Sequence, residues 1–286
     1  MSTLLTVPNI SEGRDRATIE AVAAAFAPLP VLDIHTDPDH HRSVFTVAGA
    51  PGELAPAVTR VAAEAKRQID LSDHDGIHPR VGGLDVAPIV YLSETERGAA
   101  CAEALVLADC IAEQLALPVF LYGALAGGRT RAEIRRGGPA ALQARIDAGE
   151  QTPDFGPSQL DRSAGAVLVG ARPPLVAFNV ELAPPAGVEE AKAIAALIRE
   201  GGAEGLPGVR AIGLWLEQGQ VAQVSTNVED YRRVPLAELV RAIARYATPK
   251  EAELVGLAPA QAFDGFPADL PVRNRRLIED ALSALH

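Results

Sequence analysis

The chain contains few of the residues that mark secreted or membrane proteins. It has two cysteines, one methionine and one tryptophan, and only 4% of its residues are aromatic. Two cysteines in 286 residues do not make a disulfide framework, so we expect a reducing, cytoplasmic setting. Neither a basic leader nor an apolar run of the ~18 residues that span a bilayer is visible, and we therefore expect no signal peptide and no membrane anchor.

Basic residues are also in short supply. The 26 lysines and arginines are outnumbered by 37 acidic residues, which gives a net charge of -11. This balance argues against nucleic acid as the main partner, because binding to phosphates requires an excess of cationic side chains. A local group of arginines can still reverse the field and bind a small anion.

Short β-rich runs alternate with amphipathic stretches, which predicts an α/β (α+β) fold of two subdomains. Each subdomain has the order β-α-β-β-α-β of a ferredoxin-like split βαβ unit, followed in the first subdomain by one further helix and strand. We place the boundary between 1–172 and 173–286. In the first subdomain we expect strands at 4–8, 31–35, 44–47, 86–92 and 119–122, with helices at 14–26, from Pro51, and at 99–115. In the second we expect strands at 175–182, 209–216, 221–226 and 253–257, with helices at 188–199 and 236–246.

Five of the six histidines lie between residues 35 and 78, and the sixth is His286. They fall in two polar clusters with acids, arginines and glycines, which indicates a polar pocket and not an apolar core. His78 precedes Pro79, which favours extended backbone. We interpret His78 either as a general acid/base or as a loop histidine bonded to Asp73 or Asp75. The other four histidines of the clusters have open roles: His35, His40, His41 and His74.

Metal binding and carboxylate binding are two further functions to consider for the same clusters. Neither contains the H-E-x-x-H spacing of many zinc enzymes, so we expect no metal, although a metal-dependent hydrolase stays an alternative. Arginine forks bind carboxylates in a bidentate manner. A substrate with several carboxylates would therefore suit the arginines in or beside the polar loops, and surface ion pairs are the competing interpretation for each of them: Arg42, Arg80, Arg162 and Arg172.

Five segments, in the same order and over nearly the whole chain, resemble the formiminotransferase domain of glutamate formimidoyltransferases. They are VPNISEG at 7–13, HPR at 78–80 with Gly82 and Leu84-Asp85, PDFGP at 153–157, AFN at 177–179 and AQVSTN at 222–227. The resemblance implies two subdomains, N- and C-terminal, with a folate-binding cleft between their sheets. The match fades around 129–145 and after Phe263, and we expect no cyclodeaminase domain.

The resemblance also implies a reaction, in which a formimidoyl group moves from N-formimidoyl-L-glutamate to N5 of tetrahydrofolate during histidine degradation. His78 matches the family's catalytic histidine, and our hypothesis is that Arg42 and Arg80 hold carboxylates of the donor. A homodimer is expected from the family, and a formyl transfer from N-formylglutamate is the alternative of the same class. The positions that match the family's folate-binding segment are Gly156, Pro157, Ser158, Gln159, Leu160, Asp161, Arg162, Ser163, Ala164 and Gly165.

Overall fold

The computed structural model describes residues 2–285, with the side chain of Asp73 left out. His286, the sixth histidine, lies outside the described residues. The chain divides into two compact units, one ending at Pro173 and the other beginning at Pro174. Both combine helices with a mixed sheet, so the fold is α/β with two sheets.

The first unit is built on a sheet of seven described strands. The short strands β1 and β2 follow each other along one line between β4 and β5, so the order across the sheet is β3-β4-β1/β2-β5-β7-β6. Pairing is antiparallel except between β5 and β7 and between β6 and β7. The strands are β1 Leu4–Thr6, β2 Asn9–Ile10, β3 Val31–Asp37, β4 Arg42–Gly49, β5 Leu84–Val90, β6 Val119–Leu121 and β7 Val167–Arg172.

Helices cover both faces of the parallel part of this sheet. The main core joins α1, α2 and α3 to one face, and Val22, Val58 and Leu107 are completely buried there. On the other face, α4 and α5 bury Ile134 and Leu142 in a smaller cluster with side chains of β5, β6 and β7. Burial on both faces is typical of parallel strands. The helices are α1 Arg16–Ala24, α2 Leu54–Gln68, α3 Arg97–Leu115, α4 Arg131–Arg135 and α5 Gly138–Asp147.

Strands β3 and β4 are longer than the sequence pattern predicted. They extend through the first histidine cluster and leave only a turn over residues 38–41 between them. Arg42 therefore lies on a strand, as His35 was predicted to, and hydrogen bonds fix the backbone of both. Strand β7 and the two helices α4 and α5 were not predicted.

The N-terminus of α2 is fixed by a buried glutamate of α3. Glu103 accepts hydrogen bonds from the backbone N–H groups of Gly52, at 2.5 Å, and Ala55, at 2.6 Å. The predicted start of this helix at Pro51 was wrong, because Gly52 has a φ of 94°, which a right-handed helix does not allow. Ala55 has one of the N–H groups that a helix start leaves without partners, whereas Gly52 lies just before the helix.

The second unit has a five-stranded sheet in the order β12-β11-β8-β10-β9. Among the described strands of this sheet, only β11 and β12 pair in parallel. Helices α6 and α7 cover one face and bury Phe178, Val224 and Ile243. The elements are β8 Val176–Leu182, α6 Val188–Ile198, β9 Val209–Leu216, β10 Val221–Val228, α7 Leu236–Ala244, β11 Pro249–Val255, β12 Val272–Arg273 and α8 Ile278–Ser283.

Candidate active site

Arg80 holds the loop that presents His78. Its guanidinium donates hydrogen bonds to the carbonyl oxygens of Gly76, at 2.7 Å, of His78, at 3.2 Å, and of His74. One side chain thus fastens three backbone positions within a five-residue stretch. These bonds matter because residues 74–81, after the 3-10 turn Leu71–Asp73, belong to no helix or strand.

Two further histidines connect this loop to the β2–α1 connection. The Nε2 of His74 lies 3.0 Å from the carbonyl oxygen of Ser11, and the Gly13 N–H donates to Nδ1 of His41 at 3.1 Å. The two rings stack with centroids 4.2 Å apart. Burial, with Arg80 and His41, lowers the pKa of His74 to about 4, and burial also lowers the pKa of His41. Both rings are therefore neutral at pH 7 and serve the structure of the site.

The ring of His78 is oriented by the backbone of the next residue. Its Nδ1 lies 2.8 Å from the carbonyl oxygen of Pro79. A carbonyl oxygen only accepts hydrogen bonds, so Nδ1 carries the proton and Nε2 of the neutral ring keeps its lone pair. Burial, followed by the charges of Arg42 and Arg135, lowers the pKa of His78 well below 6.5. At neutral pH the ring is therefore a proton acceptor at Nε2.

The charges beside His78 converge on Asp85, which is completely buried at the start of β5. Its Oδ2 accepts a hydrogen bond from Nη1 of Arg42, at 2.8 Å, and one from Nη2 of Arg135. Its Oδ1 accepts from the Val81 N–H at 2.8 Å. Burial by itself would raise the pKa of Asp85, but Arg135 and Arg42 hold it well below its usual value. Asp85 is therefore an anion at all ordinary pH values.

Arg42 is buried, like the acid that it pairs with. Its side chain is 7% exposed, and its Nη2 also donates to Oδ1 of Asn9 at 3.4 Å. Burial lowers its pKa to about 10, so the guanidinium still carries its charge at pH 7. The Asp85 contact fixes Arg42 beside His78, and binding of a donor carboxylate by Arg42 stays a prediction. The same holds for Arg80, whose guanidinium is already engaged by loop carbonyls.

The predicted folate-binding segment lies against the strand entry that follows His78. Within it, Gly165 and Asp161 exchange backbone hydrogen bonds of 2.9 and 3.2 Å, which close a tight loop. The N–H of Gly83 donates to the carbonyl oxygen of Ala164 at 2.9 Å. Gly165 has a φ of 71°, and a Cβ there would lie 2.0 Å from the carbonyl oxygen of Val81. Only glycine permits this approach.

Side chains from two helices hold the same segment. Lys66 of α2 forms a 3.0 Å ion pair with Asp161, and Oε1 of Gln143 in α5 accepts a hydrogen bond from the Leu160 N–H at 2.8 Å. The structure therefore brings two of the predicted groups together, the histidine loop and the 156–165 segment. Residues 156–159 are exposed, and the carbonyl oxygen of Ser158 accepts a hydrogen bond from Nε2 of Gln143 at 3.3 Å.

The remaining histidines of the first cluster lie on β3 and in the turn after it. His35 is buried on β3, and His40 is buried with its ring centroid 6.0 Å from that of His78. The backbone N–H of His40 donates to Oδ1 of Asp37 at 2.8 Å. The important residue that sequence reasoning missed is Arg135. It lies in the 129–145 region, where the family resemblance fades, and a lone arginine in a short helix carries no recognisable signal.

The described part of the chain lacks the marks of two other classes of protein. Among the side chains described there, no group of three or more His, Cys, Asp or Glu residues is arranged to hold a metal ion. Of the helices described, none combines the length and the apolar character needed to cross a membrane.

The fold and this site define a mixed α/β protein with a histidine and two arginines at the end of its first sheet where β4 and β5 begin. Residues 3–172 match the model of the formiminotransferase domain, N-terminal subdomain, and residues 177–266 match that of the formiminotransferase domain. The chain belongs to the formiminotransferase domain family, which confirms the resemblance seen in the sequence.

Named relatives agree with this assignment. The chain is 36% identical to a glutamate formimidoyltransferase of Thermoplasma acidophilum over 275 residues, covering 92% of this chain and 90% of that protein. It is 34% identical to a glutamate formimidoyltransferase of Streptococcus pyogenes serotype M1, covering 90% and 89%. A formimidoyltransferase-cyclodeaminase of Sus scrofa is 37% identical over 90% of this chain, which spans about half (50%) of the length of that relative.

Proposed function

We propose that this chain is a glutamate formimidoyltransferase, which moves the formimidoyl group of N-formimidoyl-L-glutamate to N5 of tetrahydrofolate in histidine degradation. One observation carries the proposal: a neutral His78 with a free Nε2 lies in the field of Arg42 and Arg135, on the loop whose end at Gly83 bonds to Ala164 of the 156–165 segment. Family membership and relatives named for this activity support it.

The chemistry needs one group that accepts a proton and returns it. The lone pair of N5 attacks the amidinium carbon, and a new C–N bond gives a tetrahedral intermediate with a protonated N5. Nε2 of His78 accepts that proton and then donates it to the glutamate nitrogen. The bond between this nitrogen and the carbon breaks, and glutamate leaves as the amine. A single imidazole that alternates between base and acid meets this requirement, and holding the two reactants together lowers the entropic part of the barrier.

Three further parts of the site bind or orient the reactants in this proposal. The 156–165 segment binds the pterin end of tetrahydrofolate, for which its exposed residues 156–159 and its anchoring by Lys66 and Gln143 are suited. Arg42 attracts a donor carboxylate to His78. Arg80 keeps His78 in place and adds positive charge beside the donor. Tetrahydrofolate is a co-substrate here, and the reaction as written requires no metal.

The strand order of each unit supports a ferredoxin-like topology. In the second unit the strands β8 to β11 follow the chain order β-α-β-β-α-β and lie in the sheet order 4-1-3-2 of a split βαβ unit. In the first unit, β1/β2, β3, β4 and β5 have the same relation, with β7 and β6 added at the edge. We propose that both units are ferredoxin-like subdomains and that they correspond to 1–172 and 173–286. The folate-binding cleft between their sheets, the homodimer and the cytoplasmic location stay predictions.

The test is a transfer assay with two donors. The purified chain is incubated with tetrahydrofolate and either N-formimidoyl- or N-formyl-L-glutamate, and mass spectrometry follows the modified folate and free glutamate. We expect the folate to gain a formimidoyl group and glutamate to appear in equal amount. Transfer from the formyl donor alone would favour the formyl transferase alternative. Hydrolysis of either donor without modification of the folate would refute a transferase.

A further inference from the structure

The arginine pair at Asp85 carries more positive charge than its immediate partner neutralises. Arg42 and Arg135 both donate to Oδ2 of Asp85, and the Val81 N–H occupies Oδ1. Two guanidinium groups and one carboxylate leave one net positive charge. The side chains of Arg42 and Arg135 are only 7% and 11% exposed, so water solvates this charge poorly. A buried charge of this kind is costly unless an anion joins it.

Arg135 also has one N–H group without a hydrogen-bond partner among the described residues. This group is its buried Nε. Buried polar groups are nearly always bonded, and an exception requires an explanation such as a ligand. The guanidinium and its free Nε lie in the electrostatic neighbourhood of His78, whose pKa Arg135 lowers.

Another arginine, Arg145, fixes the backbone on both sides of Arg135. Arg145 of α5 donates from Nη2 to the carbonyl oxygen of Ile134, at 2.6 Å, and from Nη1 to that of Arg136, at 2.8 Å. These bonds hold the end of the short helix α4, so Arg135 is positioned from its backbone as well as by Asp85. Such preorganisation is what a binding residue needs.

We propose that Arg135 binds the α-carboxylate of the donor and thereby selects an α-amino acid derivative as substrate. This inference rests on the proposed function. The α-carboxylate is attached to the carbon that bears the leaving nitrogen, so its capture beside His78 brings that nitrogen to the imidazole. The carboxylates of folate are separated from N5 by the aminobenzoyl group and are too distant for the same role. One carboxylate also neutralises the one excess charge.

The experiment compares two donors that differ only at this group, N-formimidoyl-L-glutamate and its α-amide. For Arg135→Gln we expect kcat/KM with the acid to fall roughly 10- to 100-fold, as for loss of a charged hydrogen bond, and with the amide to change less than about 3-fold. The preference of the wild type for N-formimidoyl-L-glutamate over its α-amide should therefore be absent in Arg135→Gln. Arg136→Gln, at the exposed neighbouring position, is the matched control and should leave both values unchanged.

Equal losses for the two donors would overturn the proposal, because Arg135 would then act only through Asp85. Should Arg135→Gln fail to fold, Arg135→Lys keeps the charge but loses the planar fork, and it must also reduce the preference for the acid. Absence of transfer by the wild type would refute the proposed function and not this inference. Calorimetric titration with N-formimidoyl-L-glutamate would then decide: binding weakened about 10-fold or more by Arg135→Gln supports the role of Arg135, and equal binding overturns it.

Discussion

Replacing Asp85 by asparagine is the most direct test of how the site is held together. The substitution keeps the shape of the side chain and an oxygen for the Val81 N–H, but it removes the charge that Arg42 and Arg135 share. Two buried guanidinium groups are then left without an anion. Removal of one partner of a buried ion pair costs about 3–5 kcal/mol, so we expect Asp85→Asn to lower the free energy of unfolding by an amount in that range.

The assay is urea unfolding of the wild type and the variant, followed by far-ultraviolet circular dichroism at pH 7. Asp75→Asn is the matched control, because Asp75 is 71% exposed and pairs with Arg14 at 2.7 Å. An exposed ion pair contributes at most about 1 kcal/mol, so this variant should unfold close to the wild type. Equal, small effects of the two substitutions would refute the claim that the Asp85 cluster is a buried, mutually dependent unit.

The same comparison has a defined pH dependence. The folded-state pKa of Asp85 lies below its usual value of 3.8, so its stabilising contribution is complete above about pH 4. As the pH falls below that point, the unfolded wild type takes up a proton and the difference from Asp85→Asn shrinks. A difference that instead grew toward acid pH would contradict the assignment of Asp85 as the buried anion.

Three further predictions concern His78 and Glu103. His78→Ala should lower turnover by roughly 10²–10⁴-fold while tetrahydrofolate still binds, measured by steady-state kinetics and by titration, and wild-type turnover would contradict its role. Because the pKa of His78 is lowered, kcat/KM should stay constant from pH 8 to about 6.5 and decline only below that, whereas a midpoint near 7 would argue against this base. Glu103→Ala removes the buried acceptor for the N–H groups of Ala55 in the first turn of α2 and of Gly52 just before it, and should destabilise the protein by about 1–3 kcal/mol in urea unfolding. Glu113→Ala, at an exposed position of α3, the helix that carries Glu103, should not.

The alternation of apolar and polar residues was sufficient to identify most elements. The strand Val209–Leu216 coincides with the predicted range, and α6 ends at Ile198, one residue before its prediction. These elements have one apolar face and regular spacing, which local sequence encodes. Strand β7 was missed because its run, Val-Leu-Val-Gly-Ala, follows a long polar loop and shows no alternation, as is common for a strand buried on both faces.

The sequence also located the histidine loop and the segment that lies against it. His78, Arg80 and Gly165 belong to local motifs, and a motif is visible without knowledge of the fold. The roles of these residues, however, depend on the folded structure. That Arg80 binds carbonyl oxygens of its own loop, and that His78 keeps its free lone pair on Nε2, follows from distances that no spacing in the chain reveals.

What the sequence determined by itself is therefore the family, the order of most strands and helices, and the residue types that carry the chemistry, because these depend on short-range patterns and on matching motifs. Only the tertiary structure decided which charges meet. Arg42, Asp85 and Arg135 are separated by 43 and 50 residues, and the sheet brings them into one buried cluster. Burial then sets the protonation of His78, since the strength of each charge depends on how much water the folded chain leaves around it.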